Sequence, residues 1–273
     1  MTGGSPDERE GRGMEPVGGT LELNDGRRIP RLGLGVFQIP AGEATERAVA
    51  WAFEAGYRHI DTAKLYRNEA SVGAAVRHSG LAREEVFVTT KLWVTDEWSP
   101  RRGLEASLSR LGLDYVDLYL IHFPVPGLWR RAWQQMEPLA AGGRARSVGV
   151  SNVNARQLSV LLASSALAPA VDQVRASPFG YDRELYELCR QRGVAFEAYS
   201  PLTQGKRLDD GTLAEIAARH GATPAQVCIA WALHKGMVVI PKSAAESRIR
   251  QNAAAADLVL DSSDLAALDQ LSS

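Results

Sequence analysis

Eight short runs rich in β-branched and aromatic residues recur along this chain, each followed by a segment with helical periodicity. The runs are Leu32–Val36, Tyr57–Ile60, Val86–Thr90, Val116–Ile121, Ala145–Val150, Ala170–Val174, Ala195–Tyr199 and Val238–Ile240. Between them lie the helical stretches Glu43–Ala55, Glu69–Ser79, Pro100–Leu111, Trp129–Ala141, Asn154–Ala163 and Arg183–Arg192, then Thr212–His220 with Pro224–His234. Near-continuous apolar strands alternating with helices belong to a parallel sheet covered on its faces. Eight such units in 273 residues point to a closed (β/α)8 TIM barrel, an α/β fold, with extra helices near the C-terminus. Ahead of them, Thr20–Leu23 and Arg27–Pro30 flank Asn24-Asp25-Gly26, a hairpin turn signal.

An open doubly wound sheet is the competing architecture. The LGLG of residues 32–35 is only a fragment of a dinucleotide fingerprint, because Gln38 stands where the third glycine belongs, and it follows a hairpin. It reads better as a first barrel strand. Residues 1–19, rich in glycine, proline and charge, read as a disordered tail, and 20–273 as a single barrel domain.

A net charge of −1 gives no bulk attraction for nucleic acid or anionic membrane. No apolar run approaches the ~20 residues that span a bilayer. Cys189 and Cys228 lack metal-ligand spacing and read as small core residues, so no metal is expected. A cytoplasmic protein is the expectation, and short loops suggest a monomer.

Four polar residues stand at or just beyond strand ends: Asp61 and Tyr66 in GYRHIDTAKLYRNE, Lys91 in TKLW and His122 in DLYLIHFP. Strand C-termini are where a barrel assembles its site. A phenol ionises near pH 10 and is a weak acid at neutrality. An ammonium nearby favours phenolate, and a carboxylate keeps that ammonium charged and in place. Lys91 and Asp61 suit those tasks, lowering the pKa of Tyr66, while a neutral imidazole at His122 could hold a carbonyl oxygen. A carbonyl so polarised accepts hydride at carbon and a proton at oxygen. Each residue alone has a structural explanation as helix cap or core packing; four together at three strand ends argue for a site.

These segments, with GRARSVGVSN, EAYSPL and IPKS in the same order, closely resemble the aldo-keto reductase superfamily from about Leu21 onward. The short loops make the chain similar to prokaryotic members of the 2,5-diketogluconate reductase-like type. The resemblance implies metal-free reduction of an aldehyde or ketone by NADPH. It makes Tyr66 the acid, Lys91 and Asp61 its modulators and His122 the carbonyl-orienting residue. It implies that Ser151, Asn152 and Gln173 hold the nicotinamide carboxamide and that Tyr199 stacks on the ring. Ser200 and Leu202 match pyrophosphate contacts, and Val36 lies where threonine is frequent. Lys242, Ser243, Arg248 and Asn252 match the adenosine 2′-phosphate site, with Gln251 replacing a usual glutamate near the adenine. NADPH rather than NADH is therefore implied. Phe37, Trp93 and Phe123 match the walls of the substrate pocket, suited to flat or apolar carbonyls. Short loops and an end at Ser273 imply an open, permissive pocket.

One segment departs from the pattern. In Asp172-Gln173-Val174-Arg175-Ala176-Ser177-Pro178 an aspartate stands where the family commonly has Asn, an arginine where it has Glu and Ser177 where it has His. A charge lining a barrel needs a partner, so Arg175 is expected to pair with Glu197, Asp172 or both. The departure keeps open a non-redox lyase, dehydratase or isomerase using the same acid/base set. A non-catalytic NADP-binding subunit is the third reading.

Overall fold

The computed structural model describes residues 15–272. Two short strands, β1 (Thr20–Glu22) and β2 (Arg28–Pro30), pair antiparallel. Eight parallel strands follow: β3 (Leu34–Gly35), β4 (His59–Asp61), β5 (Phe87–Leu92), β6 (Val116–Ile121), β7 (Ala145–Ser151), β8 (Val171–Arg175), β9 (Ala195–Tyr199) and β10 (Val238–Ile240). They lie in sequence order, and bridges Leu32↔Val239 and Gly35↔Lys242 join the first to the last. The barrel is thus the (β/α)8 barrel expected. Helices α1 (Glu43–Glu54), α2 (Glu69–His78), α3 (Pro100–Leu111), α4 (Trp129–Ala141), α5 (Ala155–Ser164), α6 (Arg183–Arg192), α7 (Gly211–Arg219) and α8 (Pro224–His234) surround it. Two more, α9 (Glu246–Ala253) and α10 (Ser262–Gln270), complete the chain.

Local chemistry sets the helix ends. Thr223 caps α8 by accepting from the Gln226 amide, with Pro224 at the first helical position, where its missing N–H is not needed. Gly112 ends α3 and Gly193 ends α6, both left-handed. The LGLG glycines serve closure of the barrel. A Cβ at Gly33 would come within 2.7 Å of His59 Nδ1, and one at Gly35 within 3.1 Å of the Ile240 carbonyl oxygen. No larger side chain lets the first strand approach its two neighbours.

Of the tail expected over residues 1–19, residues 1–14 lie outside the described residues. The rest is tied down: the Val17 amide donates to the Gly56 carbonyl and the Arg31 amide to that of Gly19. The hairpin closes the N-terminal end of the barrel. There Leu23 and Ile29 cluster with Phe87, Leu118, Leu120, Val171 and Val238, an apolar floor. Above it, strand alternation turns polar side chains inward: His59 and Asp61 from β4, Thr89 and Lys91 from β5, Gln173 from β8, Glu197 from β9.

The same alternation overturns the pairing expected for Arg175. Asp172 lies on the opposite face of β8 from Gln173, buried beneath the helices, and no ion pair reaches it among the described residues. Arg175 is exposed at the rim, its guanidinium 5.6 Å from the centroid of the Tyr199 ring. Glu197 faces Gln173 and His59 instead. At the end of a strand the inward face opens to solvent, so Arg175 needs no carboxylate.

No helix among the described residues is long and apolar enough to cross a membrane. Burial raises the Asp172 carboxyl well above the ordinary carboxylate range, so it stays protonated and behaves as an asparagine would. A folded-state pKa above the unfolded one means stability is full at low pH and falls as pH rises, by about 1.4 kcal/mol per unit in that window. Asp172→Asn removes the proton linkage. Its melting temperature should exceed that of the parent by a margin that grows as pH rises above the ordinary carboxylate range; a constant difference would show that Asp172 does not hold a proton.

Candidate active site

Lys91 is wholly buried, and its ammonium uses its three hydrogens on three acceptors or groups of acceptors. Nζ lies 2.6 Å from both carboxylate oxygens of Asp61, 2.9 Å from the Thr62 carbonyl oxygen and 3.4 Å from the Tyr66 hydroxyl. Burial alone would lower the pKa of Lys91; Asp61, with Tyr66, outweighs it and the net shift is upward. The cation is therefore permanent.

Tyr66 sits on a single 3-10 turn, residues 64–66, at the C-terminal end of β4. Two contacts hold that turn: an ion pair between Lys64 and Asp96, and Asn68, which donates to the Val36 and Ile39 carbonyls and accepts from Thr62. Sequence inspection passed over Asn68; its signal is a buried amide within the same GYRHIDTAKLYRNE segment. The expected lowering of the Tyr66 pKa is not the net result. Burial raises it, Lys91 pulls it down, Asp61 pushes it up, and the phenol ends above its ordinary value. The hydroxyl keeps its proton at neutral pH, with the Lys91 ammonium beside it.

His122 follows β6 and carries no charge: burial, then Lys91, lowers its pKa to about 3. Its ring stacks on Phe123 at 4.9 Å between centroids and meets Trp93 edge-on at 5.3 Å and Tyr66 at 5.8 Å. Phe37 lies 5.0 Å from the Tyr66 ring. Phe37 is 44% exposed and Phe123 40%, so the aromatic faces beside the Tyr66 and His122 rings remain open to solvent. All four polar residues and the three aromatic walls named from sequence thus converge.

The neighbouring strands add a fixed polar rim. Asn152, in the left-handed region at φ 61°, donates to the His122 carbonyl and accepts from the Tyr199 hydroxyl at 2.8 Å. Ser151 donates to the Gln173 carbonyl. Ser200 also has positive φ, at 53°, and Leu202 is half-buried beside it in the turn after β9. Val36 is buried, its amide bonded to the Asp61 carbonyl. Beyond β10, Lys242, Arg248 and Gln251 are exposed, while Ser243, ahead of α9, and Asn252, on its inner face, are buried. No ion pair engages Lys242 or Arg248 among the described residues; Lys242 precedes α9 and Arg248 lies in its first turn, an arrangement that fits a phosphate. A cavity of about 500 Å³ lies at the other end of the barrel, lined by Arg27, Arg58 and Asp117 among others, and touches none of the four polar residues.

A family model described as aldo/keto reductase family matches residues 31–273. An aldo-keto reductase of Mycolicibacterium smegmatis is 45% identical over 255 residues, covering 92% of each chain. The chain belongs to the aldo/keto reductase family. A glyoxal reductase of Bacillus subtilis is 41% identical over 254 residues, again covering 92% of each. The crystal structure of an aldo/keto reductase from Brucella melitensis superposes with a TM-score of 0.90 at 41% identity, over 95% of this chain and 100% of that one. A Bombyx mori aldo-keto reductase in complex with NADP gives 0.86 at 36% identity, over 95% and 94%. The protein is accordingly an NADP-dependent oxidoreductase acting on carbonyls.

The Lys91–Asp61 pair carries a structural prediction. Removing one member of a buried ion pair strands the other and costs about 3–5 kcal/mol. Lys91→Met should lose stability on that scale in urea unfolding, and adding Asp61→Asn should recover much of it. Equal stability of the single and double variants would show that the pair is not coupled as described.

Proposed function

We propose that this chain reduces small aldehydes and ketones with NADPH, with Tyr66 as the proton donor. The observation that carries the reading is one ammonium shared between Asp61 and Tyr66 beside a neutral imidazole. A carbonyl oxygen seated between the Tyr66 hydroxyl and His122 meets two neutral groups, each able to donate. As negative charge builds on that oxygen, Tyr66 passes its proton, and Lys91, close to the phenol oxygen, favours the phenolate that remains. Asp61 offsets the cost of burying Lys91 and keeps the ammonium aimed.

Bound NADPH would supply the hydride. For the cofactor, Ser151, Asn152, Gln173 and Tyr199 are the residues assigned to the nicotinamide, and Ser200 and Leu202 to the pyrophosphate. Lys242, Ser243, Arg248, Gln251 and Asn252 are assigned to the adenosine end, with Val36 beside the strand. Two unpaired cations there favour a 2′-phosphate, and hence NADPH over NADH. Phe37, Trp93 and Phe123 offer an apolar, partly open wall. That openness and the similarity to a glyoxal reductase support small, reactive carbonyls as substrates. Asp172 and Arg175 stand outside the polar cluster, which removes the ground for a non-redox reading.

Tyr66→Phe should reduce kcat for glyoxal by about 10²–10⁴-fold, the scale of a lost general acid, with NADPH binding intact. Near-parental NADPH oxidation by that variant would sink the assignment. Lys242→Ala with Arg248→Ala should weaken NADPH roughly 10–100-fold, as expected for lost charge-assisted bonds, while leaving NADH unchanged. Equal losses for both cofactors would place the 2′-phosphate elsewhere.

A further inference from the structure

Glu197 is a second carboxylate in the barrel interior to which nothing above gives a task. It is wholly buried on β9, in the otherwise apolar run Ala195–Tyr199. The Gln173 amide nitrogen lies 2.9 Å from Glu197 Oε2 and 2.9 Å from Asp61 Oδ2. Both hydrogens of that amide are thus used on carboxylates. The opposite orientation would set the amide oxygen against the Asp61 carboxylate, so the two acids fix which way Gln173 points. Only its amide oxygen is left to meet a cofactor, and that suits a carboxamide N–H.

The charged and titratable surroundings of Glu197 are few. From β8 comes Gln173, and from β4 come Asp61 and His59, whose Nε2 is 3.8 Å from Glu197 Oε1. From β5 come Lys91 and Thr89, the latter bonded to His59. Tyr66 lies beyond Lys91, and on β10 the register partner is the apolar Val238. His59 is neutral, since burial lowers its pKa to about 3. The one cation among these described residues, Lys91, is already committed to Asp61.

We propose that Glu197 is a positioning residue of the cofactor site: it aims Gln173, and on losing its proton it biases the site from NADPH toward NADP+. Burial and the nearby Asp61 push its pKa up to about 8, so the switch falls at accessible pH. Oxidised nicotinamide carries one more positive charge than reduced nicotinamide, and a new negative charge behind Gln173 favours the former. The proposal rests on the carbonyl-reduction reading only in assigning Gln173 to the nicotinamide.

The test is binding, not turnover. Dissociation constants for NADPH and NADP+ are measured from pH 6 to pH 9.5 by protein fluorescence, for the parent and Glu197→Gln. Both cofactors carry the same 2′-phosphate, so its titration cancels in their ratio. Glutamine keeps an acceptor for Gln173 and cannot ionise. In the parent, preference should move toward NADP+ by on the order of ten-fold as pH rises, the effect of one nearby charge in a partly screened interior. In Glu197→Gln the ratio should stay flat. A flat parental ratio, or an unchanged pH response in the variant, overturns the proposal. The folded apo protein gives a second readout. The raised folded-state pKa makes Glu197 a destabilising element as pH climbs, so Glu197→Gln should gain melting temperature relative to the parent between pH 6 and pH 9. No relative gain would also count against it. Tight binding of both cofactors without any carbonyl reduction would instead defeat the reading of Tyr66, leaving the Glu197 result standing.

Discussion

A lysine with no exposure to solvent is the constraint around which the barrel interior is arranged. Taking an ammonium out of water costs several kcal/mol even after relaxation. The cost is offset only if an opposite charge and all the hydrogen-bonding capacity of the ammonium are supplied in place. Asp61 supplies the first; the Thr62 carbonyl and Tyr66 complete the second. These partners lie on β4 and the turn after it, whereas Lys91 lies on β5. The register Asp61↔Thr89 sets Asp61 and Lys91 at the same end of adjacent strands. The pair therefore fixes the turn that carries Tyr66 against the barrel mouth.

The floor beneath makes that geometry possible. The hairpin side chains Leu23 and Ile29 seal the N-terminal end with Phe87, Leu118 and Val238, keeping water from reaching the polar layer from below. Gly33 and Gly35 let the first strand close against β10, which completes the wall. Without closure an edge of the sheet would admit solvent beside Lys91, and its bonds to Asp61 would weaken in the higher dielectric. Packing far from the mouth is thus part of how Tyr66 comes to lie beside a fixed charge.

Much of this was legible in the sequence, because each strand repeats one signal. Val116–Ile121, Ala195–Tyr199 and Val238–Ile240 were placed to the residue, since buried strands of a parallel barrel read as unbroken apolar runs. Asp61, Tyr66, Lys91 and His122 were legible as polar residues interrupting or ending such runs. Arg175 and Asp172 were misread. Period two assigned them faces, but it could not say how far along the strand the interior ends. Arg175 is at the rim, where water replaces an ion partner, and Asp172 lies under helices, where burial protonates it. Glu197 was seen only as a mate for Arg175. Its actual partners are Gln173, its register mate on the preceding strand, and His59, from across the barrel, and neither the register nor the crossing contact is visible in a single sequence.

The behaviour of Tyr66 follows from the same balance. A phenol taken out of water resists ionising, and here burial outweighs the nearby ammonium. Had Lys91 won, the hydroxyl would stand partly ionised before any carbonyl arrived, and an ionised phenol has no proton to give. A donor useful at neutral pH must hold its proton at rest and release it only when a stronger base forms against it. The alkoxide left by hydride addition is such a base. In the proposed reaction, what Lys91 would contribute is therefore a lower cost for the phenolate after transfer, not a lower resting pKa. Neutral His122 fits the same logic: an imidazolium so close to Lys91 would add a second positive charge that no nearby carboxylate is free to offset.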